Sequence, residues 1–210
     1  MVFVDGFNLY HFINRTRSYH GYKWLDIRSF SEKYLPPSAN ISRIIYFSAL
    51  PYWNPKKVKR HELYIKALES IGVEIRLGKF KKVKKHIELN YRCSIVYTTY
   101  EEKQTDVSIG VEMLCSAHKD EFDIALLISG DTDFEPVIQI IKEEFPEKEI
   151  RLVVPNRKIV KPLDDLADKC TAIKEHQLAT SQFPEEITLL TGRKISRPRK
   201  WTRQAVRAKT

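Results

Sequence analysis

Four aspartates stand at the ends of apolar segments, and their type and position could do chemistry. Asp5 ends the run VFV, and Asp131 and Asp133 follow the run IALLI within the stretch SGDTDF. Asp106 opens a predicted helix after EKQT. In doubly wound α/β sheets, ligands bind beyond the carboxyl ends of the strands. We therefore expect these four carboxylates to meet at one edge of a sheet.

Such a cluster is stable only with a cation or a proton between its members. Two carboxylates about 5 Å apart repel each other by on the order of 3 kcal/mol at an effective dielectric constant of about 20. With no His or Cys beside the aspartates, oxygen ligands favour Mg²⁺ or Mn²⁺. A site of this kind can activate a water molecule and clamp a phosphodiester.

Each acid also has a purely structural interpretation. Thr132 and Glu135 have the spacing of a capping box, and Asp5 with Gly6 fits an ordinary turn after a strand. Asp106 can complement a helix N-terminus. Residues 110, 113 and 117 follow Asp106 on one apolar helical face, so we place Asp106 on the inward side of its helix.

Apolar strands alternate with amphipathic helices along the chain. The predicted strands cover residues 2–5, 44–50, 73–77, 123–129 and 149–154. The predicted helices cover about 7–15, 26–34, 54–71, 104–118, 132–145 and 163–168. This order predicts an α/β domain of three layers with a central, mainly parallel sheet. We assign the domain to residues 1–175, with a basic ribbon or loop inserted at 79–100, and residues 176–210 to a C-terminal extension.

Positive charge is concentrated in two segments. The chain has a net charge of +9, yet residues 192–210, the basic tail, hold eight Lys and Arg and no acid. Residues 54–85 hold eleven Lys and Arg against three acids. Although a lysine run is often a solvated face, two such runs favour a polyanionic partner, most simply RNA.

The candidate nucleic-acid contacts come from both basic segments and from one aromatic pair. Tyr52 and Trp53 follow the second strand, where they could stack on bases or pack within a loop. Trp201 could dock on the domain or stack on a base. The candidate cations are Lys79, Lys81, Lys82, Lys84, Lys85, Arg193, Lys194, Arg197, Arg199, Lys200 and Arg203.

Several classes of protein are excluded. Three widely spaced cysteines without a C-x-x-C pattern exclude a disulfide framework and a cysteine-rich zinc site, and they fit a reducing compartment. No apolar run approaches the roughly 18 residues of a membrane span. Met1 leads into VFVDGFN with no basic leader. We expect a cytoplasmic protein with no membrane partner.

Three stretches together resemble a known family. VDGFN with Asp5 and Asn8, EKQTDV with Lys103 and Asp106, and SGDTDF with Ser129 are similar to the signature stretches of the NYN domain, LabA-like branch, within the PIN-like nucleases. The resemblance covers roughly residues 1–170. Each stretch alone is weak, whereas the ordered set is specific. The family usually has KGVD where this chain has KQTD, which leaves the aspartate in place.

The resemblance implies metal-dependent cleavage of RNA by an activated water. Asp5, Asp106, Asp131 and Asp133 would be catalytic metal ligands, directly or through water. Asn8 and Ser129 would be polar supports, and Lys103 a phosphate contact. The alternatives are a catalytically silent RNA-binding adaptor of the same fold and, with lower weight, a metal-dependent glycosyltransferase using Asp131-x-Asp133. The sequence leaves a homo-oligomer open.

Overall fold

The computed structural model describes residues 1–90, 93–155, 161–189 and 191–202. The strands are β1 (Val2–Asp5), β2 (Ile44–Ser48), β3 (Val73–Leu77), β4 (Lys79–Asn90), β5 (Cys93–Lys103), β6 (Ile124–Ile128), β7 (Glu149–Val154), β8 (Lys169–Ala172), β9 (Glu186–Thr188) and β10 (Lys194–Ser196). The α-helices are α1 (Gly6–Arg15), α2 (Ile27–Glu32), α3 (Pro55–Glu69), α4 (Thr105–His118), α5 (Glu135–Glu144), α6 (Lys161–Leu166) and α7 (Glu175–Ala179). Short 3-10 helices cover Arg17–Tyr22, Thr132–Phe134 and Arg199–Trp201.

A six-stranded sheet in the order β3-β2-β1-β6-β7-β8 forms the centre of the molecule. Every pairing within it is parallel, which confirms the predicted fold class. β1 and β2 are buried along their whole length, so their sequences are continuously apolar rather than alternating. The edge strand β8 was not predicted because its sequence KCTA is short and has little apolar content.

Two hydrophobic cores lie on opposite faces of the sheet. Successive side chains of β1 point to opposite faces, so Val2 and Val4 pack with α1, α2 and α3, whereas Phe3 packs with α4 and α5. This arrangement is the predicted set of three layers. Within the described part of the chain, no helix is both long enough and apolar enough to cross a membrane.

β4 and β5 form an antiparallel ribbon between β3 and α4. The ribbon occupies the predicted position and continues to Lys103. Its base is held by aromatic contacts. The Phe80 ring lies 4.7 Å from that of Trp53 and 5.7 Å from that of Phe7. The Tyr100 ring stacks on Trp53 at 3.8 Å with an interplanar angle of 7°. The ribbon is thus anchored next to the carboxyl edge of the sheet.

The C-terminal segment makes more contact with the domain than its sequence suggests. β10 pairs with β9, and Ile195 and Trp201 are only 4% and 8% exposed. The Trp201 ring lies 6.4 Å from Trp24 and 6.1 Å from Tyr64. The side chains of Ile195 and Trp201 belong to the hydrophobic core that also contains Val2. The interpretation of residues 192–210 as a tail is therefore corrected for residues 194–202, and Trp201 docks on the domain.

Candidate active site

The pairing of β1 with β6 brings Asp5 and Ser129 together. Val4 lies opposite Ile128, so the residues that follow each strand emerge side by side at the carboxyl edge. The Ser129 hydroxyl donates a hydrogen bond to Asp5 Oδ2 at 2.9 Å, and the Asp131 N–H donates to Ser129 Oγ at 3.2 Å. Asp5 therefore positions Asp131 through one intervening hydroxyl.

Asn8 supports the same loop from the first turn of α1. The Gly130 N–H donates to Asn8 Oδ1 at 3.4 Å. The Asn8 N–H in turn donates to Asp5 Oδ1 at 2.9 Å, which caps α1. Asp5, Asn8 and Ser129 thus form one network that holds the loop from Ser129 to Asp131.

Three carboxylates converge at this edge of the sheet. Asp106, Asp131 and Asp133 each offer one oxygen, and these oxygens lie within 4.8 Å of one another. Asp106 comes from the first turn of α4, and the two other acids come from the loop after β6. At such distances the charges repel, and hard oxygen donors fit a divalent cation such as Mg²⁺ or Mn²⁺. The donor set therefore fits the predicted metal.

Asp5 is not a member of this group of three, which corrects the expectation of one cluster of four carboxylates. Its side chain is 3% exposed, and both of its oxygens already accept hydrogen bonds. Burial raises the pKa of Asp5 to about 6, against the lowering effect of those hydrogen bonds. Asp106 and Asp131 raise it further, so Asp5 lies close to both acids. Its hydrogen bonds are those of a residue that positions the loop of Ser129 and the start of α1.

Glu102 is an acid near the cluster that the sequence analysis missed. It accepts a hydrogen bond from the Thr105 hydroxyl. Burial raises the pKa of Asp106, and the charge of Glu102 is the next cause, followed by those of Asp131 and Asp133. Glu102 is the second-last residue of the ribbon and lies four positions before Asp106, and that spacing was the available signal.

The helix start in SGDTDF is capped by Asp131 rather than by Thr132. Asp131 Oδ1 accepts a hydrogen bond from the Asp133 N–H at 3.1 Å. Thr132 is the first residue of the 3-10 helix that precedes α5, and its side chain is exposed. The capping-box interpretation with Thr132 is therefore wrong. Because one oxygen of Asp131 caps the helix, the cap also orients this carboxylate within the cluster.

The ribbon lysines divide between two faces. Successive side chains of a strand alternate, so Lys82 and Lys84 share the face of Phe80, which packs on Trp53. Lys79, Lys81 and Lys85 lie on the opposite face. Every one of these lysines is exposed. Only the face with Lys82 and Lys84 is turned towards the domain.

Lys103 belongs to the face that is turned away from the domain. Its ammonium group pairs with Glu101 at 3.1 Å, and Lys85 pairs with the same carboxylate at 2.7 Å. Lys103 lies opposite Lys79 in the ribbon. A phosphate contact by Lys103 would require it to leave Glu101.

The candidate cations of the tail differ in availability. Arg193, Arg199 and Lys200 are exposed, and Lys194 pairs with Glu186 at 2.8 Å. Arg203 lies outside the described residues. The expectation that Arg197 contacts nucleic acid is corrected. Its side chain is only 7% exposed, and its guanidinium donates hydrogen bonds to Gly21, Gln182 and Glu185. It ties the C-terminal segment to the domain and is not free to bind nucleic acid in this conformation.

Tyr52 and Trp53 pack together with ribbon residues. Their rings lie 5.3 Å apart, and Trp53 carries Tyr100 stacked on one face. Tyr52 is 56% exposed and Trp53 is 36% exposed. The loop-packing interpretation therefore describes Trp53 better than open stacking, while Tyr52 keeps an accessible ring.

A cavity beside α1 was not foreseen from the sequence. Its volume is about 280 Å³, and its wall includes Tyr10, Trp53, Tyr64, Phe80, Tyr100 and Trp201. Lys23, Lys57 and Arg60 also line it. These residues come from segments far apart in the chain, so no local motif marks the site. Gly6 lines the cavity and directly follows Asp5 in the chain, so the cavity lies next to the start of α1.

Gly6 is required by close packing, and its replacement gives a stability prediction. A Cβ at Gly6 would lie 2.7 Å from the Phe47 carbonyl oxygen and would overlap the Tyr46 ring. We expect Gly6→Ala to lower the free energy of unfolding by about 2 kcal/mol, because overpacking displaces backbone. Gly110→Ala is the matched control, since its nearest neighbour would be Val137 at 3.8 Å. Alanine inside a helix should stabilise by roughly 0.5–1 kcal/mol. Urea unfolding of both variants checks this, and equal effects would contradict it.

Comparison with known proteins gives a family match, a curated relative and a solved structure of similar fold. The family model described as the NYN domain matches residues 1–174. The curated relative 6-hydroxy-3-succinoylpyridine 3-monooxygenase HspA of Pseudomonas putida is 24% identical over 238 aligned residues, which cover 95% of this chain and 74% of that protein. The crystal structure of VPA0982, a protein of unknown function from Vibrio parahaemolyticus, is similar in fold. Its TM-score is 0.56 at 21% identity, covering 83% of this chain and 91% of that one.

Proposed function

The chain belongs to the NYN domain family of PIN-like proteins, which are generally nucleases, and from this premise we propose that it is a metal-dependent ribonuclease. The observation that carries the proposal is the convergence of Asp106, Asp131 and Asp133 within 4.8 Å. We propose RNA as its substrate and hydrolysis of a phosphodiester as its reaction. A cytoplasmic location fits this substrate.

In this proposal Asp106, Asp131 and Asp133 hold Mg²⁺ or Mn²⁺. The bound ion would lower the pKa of a water molecule and stabilise the charge that develops on the phosphate. Asp131 is kept in place by its helix cap and by the hydrogen bond from its N–H to Ser129. Asp5 holds Ser129, and Asn8 holds Gly130. These hydrogen bonds hold the loop that presents Asp131 and Asp133.

The ribbon supports RNA as the substrate. Lys82 and Lys84 lie on the face turned towards the domain, and no carboxylate of the described residues forms an ion pair with either. Cations on this face that form no ion pair with a described carboxylate could contact the phosphates of a bound RNA. Lys103, Arg193, Arg199 and Lys200 extend the exposed positive surface. These contacts would make RNA binding weaker at higher salt.

The test is cleavage of labelled single-stranded RNA with Mn²⁺, with Mg²⁺ and with EDTA. We expect products only with a divalent ion. A DNA strand of the same sequence shows whether the protein distinguishes ribose from deoxyribose. A metal that binds only the folded state should also raise the melting temperature. A rise without cleavage would favour the silent RNA-binding adaptor. Absence of both effects at millimolar Mn²⁺ would contradict the metal site.

A second candidate function follows from the cavity and from one relative. HspA is named as a monooxygenase of a substituted pyridine, and the cavity here has an aromatic wall. We therefore propose oxygenation of a small aromatic compound as a second candidate function. Incubation with 6-hydroxy-3-succinoylpyridine in air, with and without a reduced flavin, followed by mass spectrometry, tests it. An unchanged substrate under both conditions would remove this candidate.

A further inference from the structure

The cavity beside α1 combines an aromatic wall with a concentration of positive charge. Lys23 directly follows the 3-10 helix Arg17–Tyr22. Lys57 and Arg60 lie one turn apart on α3. Lys200 adds a fourth cation close to Lys23. Among the ion pairs of the described residues, none includes any of these four side chains. Three cations therefore line the cavity and a fourth lies close to Lys23, and none of them has an ion-pair partner among the described residues.

The lowered pKa of Lys23 shows that its charged form is destabilised in this environment. Burial lowers the pKa of Lys23 to about 8, and the charges of Lys200, Arg60 and Lys57 lower it further. Its ammonium group donates to the neutral Asn14 Oδ1 at 2.6 Å and lies 5.1 Å from the centre of the Tyr10 ring. Like charges gathered without a counter-charge destabilise a fold. A bound anion would relieve this repulsion.

The wall of the cavity selects a flat partner. Trp53 contacts Phe80 and Tyr100 within this wall, and Trp201 contacts Tyr64. Aromatic side chains favour planar rings by stacking or by edge-to-face contact. A volume of about 280 Å³ lies near the lower end of ligand pockets, which hold roughly 300–1,000 Å³. The cavity suits one small ring system and excludes an extended chain.

Neutral hydrogen-bonding groups complete the site. His61 lines the cavity, and burial lowers its pKa to about 4, so its ring is neutral near pH 7. One ring nitrogen is paired with the Ser48 hydroxyl at 3.2 Å. A neutral imidazole and a hydroxyl can each donate or accept a hydrogen bond. They can recognise a ring nitrogen or a ring oxygen substituent.

We propose that this cavity binds a planar aromatic ring joined to an anionic group, with the ring among Trp53, Tyr100 and Trp201 and the anion at Lys23, Lys57 and Arg60. Two sources share this chemistry. One is a nucleotide of an RNA held at the neighbouring carboxylates, in which case the cavity selects a base. The other is a free aromatic acid. The first source rests on the proposed nuclease function, whereas the binding site itself does not.

Tryptophan fluorescence gives a direct measurement, because two of the three tryptophans line the cavity. The full chain is titrated in EDTA, so that the metal site makes no contribution. The probes are 6-hydroxynicotinate and uridine and adenosine 5′-monophosphates. 6-Hydroxynicotinamide, uridine and adenosine serve as the neutral counterparts. We expect saturable quenching by at least one anionic compound, with affinity at least tenfold above that of its neutral counterpart. Saturation by the mononucleotides alone indicates a base site, and saturation by the pyridine acid alone indicates a small-molecule site.

Two charge variants locate the anion. Arg60→Gln and Lys57→Gln should each lower the affinity by about tenfold, since a charge-assisted hydrogen bond is lost. Lys59→Gln is the matched control, because Lys59 is an exposed lysine of the same helix that does not line the cavity. Lys57 is itself exposed, so its replacement leaves folding intact. The proposal is overturned if no anionic probe saturates, if neutral counterparts bind equally, or if Lys59→Gln matches the other two variants.

Failure of this site and failure of the nuclease are separable. Quenching in EDTA with no RNA cleavage in Mn²⁺ would retain the cavity and reject the nuclease. RNA cleavage without any quenching would retain the nuclease and reject the ligand site in the cavity. The two measurements use different residues, because none of the three clustered aspartates lines the cavity.

Discussion

Asp131→Asn is expected to reduce RNA cleavage by at least about 100-fold while leaving the protein folded. The substitution removes one charge from the group of three carboxylates, and charge stabilisation by a bound metal is worth several kcal/mol. Each 1.36 kcal/mol corresponds to a factor of ten in rate. Asparagine keeps the oxygen that accepts the hydrogen bond from the Asp133 N–H, and it is as good a helix cap as aspartate.

The stability of the same variant should move in the opposite direction. In EDTA the melting temperature of Asp131→Asn should hold or rise, because one repulsive carboxylate has gone. Thr132→Ala is the matched control, since Thr132 is exposed and does not cap the helix. It should keep both activity and stability. Full cleavage by Asp131→Asn would reject the proposed mechanism, and loss of activity in Thr132→Ala would show that the loop is sensitive to any change.

Trp201→Ala is expected to lower the free energy of unfolding by about 3 kcal/mol. Trp201 is 8% exposed and packs against Trp24 and Tyr64, so its removal leaves a void in a continuous core. Buried tryptophan replacements cost roughly 3–5 kcal/mol, and the low end applies because one side of the ring already faces a cavity. For a chain of this length the melting temperature should fall by roughly 10 °C.

The control for Trp201→Ala is a charge change in the same segment. Arg193 is exposed, and Arg193→Gln should leave thermal unfolding unchanged. An unaltered melting temperature in Trp201→Ala would mean that the C-terminal segment is not part of the folded domain in solution. Deletion of residues 192–210 would remove Ile195 and Trp201 together with the cations, so single charge variants are the better probes of RNA binding.

Local sequence determined the strands and the capped helices. β1 and β7 have the predicted bounds, because short, largely apolar runs between turn residues specify strands in a buried parallel sheet. Asn54 followed by Pro55 specifies the start of α3, and the Asn54 side chain accepts the Lys57 N–H at 3.0 Å. These features depend on residues within one turn or one strand.

Burial of helix faces was decided by the tertiary packing. Val107 and Val111 have helical spacing on α4, yet they are 71% and 56% exposed. Ile109 and Met113 of the same helix are fully buried. α4 contains apolar residues on several sides, so its periodicity does not select one face. The position of α4 against β1, β2 and α5 makes that choice.

The sequence by itself determined that acids end two strands and begin a helix, because the order of apolar runs, turn residues and carboxylates is local information. Only the tertiary structure decided which oxygens meet. Asp106 reaches Asp131 and Asp133 because a ribbon of more than twenty residues returns the chain to the same edge, whereas Asp5 is turned to Ser129 and Asn8. The cavity and the docking of Trp201 likewise join residues more than a hundred positions apart. Contacts of that kind depend on strand order and on side-chain geometry in the packed core, which no spacing along the chain records.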